Sequence, residues 1–134
     1  MSNKQTIQSA LNLDKIVFDK IEFKRLGFSS DKELELNIQS NVARKKDAEI
    51  YRVTLILKEN KPEEYIFEIS LTGFFTIEVN SEISEELKNT MIKKNSVAIL
   101  MPYLRSEVSL LTAQPGVTCV VLPAFNINSL FEDE

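Results

Sequence analysis

Few side chains in these 134 residues could do chemistry, and each stands without its usual helpers. Cys119 is the single cysteine and sits in the apolar run "TCVVL" (118–122), which predicts a buried, inert thiol. Carboxylates are paired at Glu63–Glu64 and Glu85–Glu86, but both pairs lie in polar stretches and read as solvated faces. There is no histidine, which removes the commonest general base, the Ser–His and Cys–His pairs and imidazole metal ligands. The 3 glycines stand alone at 27, 73 and 116, so no Gly-rich phosphate loop exists. No catalytic, metal or cofactor site is expected, and the protein does not read as an enzyme.

What the sequence does offer is apolar surface, and the elements that carry it are legible from their periods. In "KIVFDKIEFKRLGF" (15–28), Ile16 and Phe18 share one parity while Ile21 and Phe23 take the other. Strand side chains alternate strictly, so the phase change predicts a bulge near Asp19–Lys20. "ELELNIQSNV" (33–42) puts Leu34, Leu36, Ile38 and Val42 on one face. "EIYRVTLILKE" (49–59) does the same with Tyr51, Val53, Leu55 and Leu57, and "EYIFEISLTGFFTIEV" (64–79) with Tyr65, Phe67, Ile69 and Leu71. The polar link "KENKPEE" (58–64) predicts a hairpin between the last two runs.

The period then becomes helical. Ser81 or Ser84 can cap a first helix over 81–95, and Ser96 a second, striped by Val97, Leu100, Met101, Leu104, Val108 and Leu111. Pro102 would kink that second helix near its start. "AQPGV" (113–117) ends it, and an apolar arm follows (118–131). The expected architecture is α+β: a four-stranded antiparallel sheet with two main helices packed on one face. We read one domain over 15–131, between an N-terminal segment (1–14) and an acidic tail (132–134).

The composition narrows the function classes. With 16 Lys+Arg against 20 Asp+Glu the net charge is −4, and the longest basic run is Arg44–Lys45–Lys46, so nucleic-acid binding is not expected. No signal-like or membrane-length apolar run occurs, which with the lone cysteine points to a soluble cytoplasmic protein. Ile99, Tyr103 and Leu110 fall off the helix stripe and call for a second surface, so we expect a homo-oligomer interface there.

Three motifs, "TGFFTIE" (72–78), "ILMPYLRSEVSLL" (99–111) and "LPAFNINSLF" (122–131), resemble in order and spacing the SecB export-chaperone family. The resemblance implies a holdase that binds unfolded or precursor polypeptides in apolar grooves, assembles as a dimer or a dimer of dimers, and hands clients to the SecA motor. By that analogy Leu34, Leu36, Tyr51, Ile127, Leu130 and Phe131 are candidate client contacts, each equally readable as core. Ile66 and Glu68 are candidate contacts for the motor. Lys20 and Lys24 stand where the family carries acids, which would weaken docking to a basic partner. The alternative is a module of the same fold dedicated to one partner, such as an antitoxin, without generic export function.

Overall fold

The computed structural model describes residues 11–45, 50–77 and 84–122. Four strands, β1 (Leu11–Arg25), β2 (Glu35–Arg44), β3 (Ile50–Lys61) and β4 (Tyr65–Ile77), form one antiparallel sheet in the order β1-β4-β3-β2. Among the described residues a single helix, α1 (Glu85–Thr112), lies across one face. Strand β1 starts at Leu11, ahead of the run read from Lys15, because Leu11 and Leu13 continue its inward-facing residues opposite Ile77 and Phe75.

The expected bulge is present. Register shifts between Phe18 and Lys20, so Ile16, Phe18, Ile21 and Phe23 all lie opposite helix-side residues of β4 (Gly73, Leu71, Ile69 and Phe67). A second shift, between Leu13 and Lys15, moves the inward parity from Leu11 and Leu13 to Ile16 and Phe18. The β3–β4 hairpin also forms, closed by the Glu64 N–H donating to the Lys61 carbonyl at 3.0 Å. Glu63 occupies the left-handed region at φ 72°, a position that favours glycine. The β1–β2 crossover passes directly over this turn: a Cβ on Gly27 would meet the Glu63 carbonyl oxygen at 2.4 Å. Only glycine allows that approach.

The two expected helices are one. Ser84 is the N-cap, its hydroxyl accepting from the Leu87 N–H at 3.1 Å, with Glu85 and Glu86 in the first turn. Ser96 caps nothing. It is fully buried inside the helix and its hydroxyl donates to the Ile92 carbonyl, one turn back. The reason is phase: Ile92, Ser96, Leu100, Leu104, Val108 and Thr112 are all buried at spacings of four, so the inward stripe never breaks. Pro102 consequently sits deep within the helix rather than near its start, on a partly solvated side, where its ring leaves the Ala98 carbonyl without its helical donor.

The core lies between α1 and the three strands β1, β4 and β3. Val53, Leu55, Leu57, Ile69, Leu71 and Phe75 meet Val97, Leu100, Leu104 and Val108, all completely buried. Gly73 permits this closeness, since a Cβ there would stand 2.7 Å from the Leu100 side chain. Phe23, Tyr65 and Phe67 stack at one end, with centroids 5.3–6.4 Å apart.

Candidate functional site

Three surfaces carry the residues singled out by sequence. The first is the helix-side face of β2. Leu36, Ile38 and Val42 pair with Glu59, Leu57 and Val53, so they point to the same side as the core. They are nevertheless half-exposed (Leu36 37%, Val42 36%), as is Leu34 just before the strand. The helix covers the inner strands and leaves this edge strand largely open. The result is an apolar shelf beside the core, bounded at one end by Arg44, whose guanidinium lies over the Tyr51 ring and reaches Glu85 at 3.4 Å. Tyr51 itself is 2% exposed and belongs to the floor of the core rather than to an accessible wall. Ile127, Leu130 and Phe131 lie outside the described residues.

At the other end of this shelf lies a residue that sequence reasoning passed over. Glu59 pairs directly with Leu36 and Phe67, so its side chain enters the helix side of the sheet, where it is 2% exposed. Its Oε2 has no hydrogen-bond partner, and burial pushes the carboxyl up to about 7. The neighbouring Tyr65 phenol is raised as well, by burial first and by the Glu59 and Glu64 charges second. The signal was available: Glu59 continues the inward parity of Tyr51, Val53, Leu55 and Leu57.

The second surface is the opposite face of the sheet. A groove of about 510 Å³ is lined there by Glu22, Lys24, Glu35, Lys58, Ile66 and Glu68, among others. Ile66 and Glu68 are thus brought together, with Lys24 in the row of Ile66 and Lys20 one row beyond Glu68, opposite Ser70. Lys24 stands directly opposite Ile66. The Lys20 ammonium lies 3.4 Å from Glu68 and 3.6 Å from Glu22, and its proton is held more tightly than usual, chiefly by the Glu68 carboxylate. Glu68 is partly neutralised within its own sheet.

The third surface is the outer side of α1. Ile99, Tyr103 and Leu110 fall within about 40° of one another on a helical projection, a stripe about 16 Å long. Ile99 is partly buried, Tyr103 47% exposed and Leu110 70% exposed. Cys119, expected to be buried, is exposed: its chain segment folds back along the helix end, where Sγ lies 3.8 Å from the Ser109 carbonyl oxygen. The segment is held instead by the Val120 N–H donating to the buried Thr112 hydroxyl at 2.8 Å, and by Leu122, which is 4% exposed. Among the described residues no group of side chains is arranged to hold a metal ion, and no helix is long and apolar enough to cross a membrane.

Comparison with known proteins follows the same lines. The sequence profile of the family described as preprotein translocase subunit SecB matches residues 18–134. An uncharacterized protein of Methanocaldococcus jannaschii is 30% identical over 110 residues, covering 81% of this chain and 67% of its own. The fold superposes, with a TM-score of 0.72 and 12% identity, on the Mycobacterium tuberculosis SecB-like chaperone solved in complex with a peptide from an antitoxin. That match covers 94% of this chain and 100% of the other.

Proposed function

Because the chain belongs to the SecB family, we propose that it is a holdase chaperone that binds non-native polypeptides along the apolar shelf of β2. The observation that carries this reading is the exposure of Leu36 and Val42 on the core side of the sheet, with Leu34 exposed just before the strand, where a folded monomer would be expected to bury them. An extended client segment laid there covers apolar area at roughly 25 cal/mol per Å² without any rearrangement of the core. Leu34 and Leu36 are client contacts at the Glu59 end of the shelf and Tyr51 underlies its Arg44 end, with Ile127, Leu130 and Phe131 as further candidate contacts. Ile99, Tyr103 and Leu110 form the contact between copies, giving a homodimer or homotetramer in the cytoplasm. No chemical step is involved.

Generic export through SecA is the weaker half of this reading. Ile66 and Glu68 would meet the motor, yet Lys20 already engages Glu68 and Lys24 faces Ile66. This favours a second reading, in which the fold serves one dedicated partner; the antitoxin peptide held by its structural neighbour is a precedent for that class of client. The deciding experiment mixes the purified protein with a permanently unfolded polypeptide and with its folded form. Size-exclusion chromatography with light scattering then reads complex and oligomer mass. Capture of the unfolded form alone, lost in Leu36→Ser, supports the holdase. Capture of neither form removes it and leaves the dedicated partner.

A further inference from the structure

At the end of the outer sheet face remote from Glu68, charge is distributed differently. One cross-strand row reads Lys15, Phe74, Arg52, Ala43 from β1 to β2. Strands lie about 4.8 Å apart, so Lys15 and Arg52 flank the Phe74 ring on either side. In the next row Lys45 follows β2 and is joined to Ile50 by its N–H donating to the Ile50 carbonyl at 2.9 Å. A groove of about 330 Å³ opens here, lined by Ala43, Arg44, Lys45, Ile50, Arg52 and Phe74. Ala43 is what keeps it open, because a methyl group on the edge strand leaves the side of Arg52 unfilled.

Two features separate this groove from ordinary sheet surface. Among the described residues, no carboxylate pairs with Lys15, Lys45 or Arg52. Among the described residues, the acids nearest this end are Asp14, exposed on the bulge beside Lys15, and Asp19, whose carboxylate is engaged by the Thr72 hydroxyl one row away. At the other end of the same face, by contrast, Glu22, Glu35 and Glu68 interleave with the lysines. The floor is apolar as well: Ile50 is 38% exposed and Phe74 is partly exposed, on a face that α1 does not cover.

We propose that this groove is a docking site for an acidic polypeptide segment that carries an apolar side chain among its carboxylates. Phe74 and Ile50 receive the apolar side chain, while Lys15, Lys45 and Arg52 meet the carboxylates around it. Complementary charge on an exposed rim acts mainly through encounter rate and register and weakens with salt. The occupant is a peptide rather than a nucleic acid because three cations within about 15 Å on a chain of net charge −4 cannot track a phosphate backbone beyond the groove. The site is independent of the client shelf, which lies on the opposite face.

The test uses the full chain and a fluorescein-labelled peptide of alternating glutamate and leucine, read by fluorescence anisotropy at low and physiological salt. Binding is expected to weaken about tenfold or more in the double variant Lys45→Glu, Arg52→Glu, and to weaken with salt in the parent protein. The same loss is expected when the charge reversals are made in a Leu36→Ser background, where the β2 shelf no longer takes up the peptide's leucines. Arg52→Gln, which only removes charge, should fall between, with circular dichroism confirming an unchanged fold. Equal binding by the charge-reversed variant would overturn the proposal. So would equal binding of a lysine–leucine peptide, or an oligothymidylate that binds more tightly than the acidic peptide and depends on Arg52.

Discussion

Replacing Glu59 by glutamine tests the least expected feature of the core. The carboxyl is 2% exposed, its Oε2 has no partner, and desolvation raises it from 4.5 to about 7. Because its folded value lies above its unfolded one, the folded protein holds this proton more tightly than the unfolded chain. That preference is fully present below about pH 4.5 and is lost as the pH rises through 7. The rise from 4.5 to about 7 corresponds to about 3 kcal/mol at most. Glutamine has nearly the same shape and no charge to lose. Its stability relative to the parent should therefore be close to zero at pH 4.5, grow between pH 4.5 and 7, and level off at about 2–3 kcal/mol by pH 8. Urea unfolding followed by far-ultraviolet circular dichroism across this range, at fixed protein concentration, gives the difference directly. A gap that stays flat with pH, or one in which glutamine is the less stable at pH 8, would show that Glu59 is solvated or paired.

Three further outcomes follow from the packing. Gly73→Ala forces a methyl group to within 2.7 Å of Leu100 and 2.8 Å of Phe75, and should lower stability by about 1–3 kcal/mol in the same unfolding assay. Glu63→Gly relieves the left-handed turn residue and should gain up to about 1 kcal/mol, although it also removes the exposed Lys32–Glu63 pair at 3.1 Å, itself worth little. Tyr103→Ser together with Leu110→Ser should shift the mass measured by light scattering toward the monomer while leaving the monomer's circular dichroism unchanged. An unaltered assembly would place the subunit contact elsewhere.

Much of the fold was legible because the relevant information is local and periodic. Inward parity in β3 and β4 identified Val53, Leu55, Leu57, Ile69 and Leu71, which are completely buried. The break in parity at Asp19–Lys20 located the bulge, since a strand can change its buried face only by adding a residue. The helix was misdivided at Ser96 because a serine at the start of an apolar stripe has the chemistry of a cap. Inside a continuing helix the same hydroxyl finds a carbonyl one turn earlier and can be buried without loss. Nothing local distinguishes the two. Only the uninterrupted packing of Ile92, Leu100 and Leu104 on the sheet decides between them.

The candidate surfaces divide in the same way. Alternation placed Leu36 and Tyr51 on one side of the sheet, and both are there. That Leu36 is half-exposed while Tyr51 is sealed depends on strand order and on how far a helix reaches. β2 is an edge strand beyond α1's cover, and β3 lies beneath it. The burial of Glu59 has the same origin, for a periodic strand carries its inward face to its last residue whatever side chain stands there. The pairing of Lys20 with Glu68, and the flanking of Phe74 by Lys15 and Arg52, join residues more than twenty positions apart. The sequence determined which side chains face which way, because backbone geometry enforces a period. Which of those faces is covered, and which charges become neighbours, was decided by the tertiary structure, because only strand register and helix placement bring distant segments within reach.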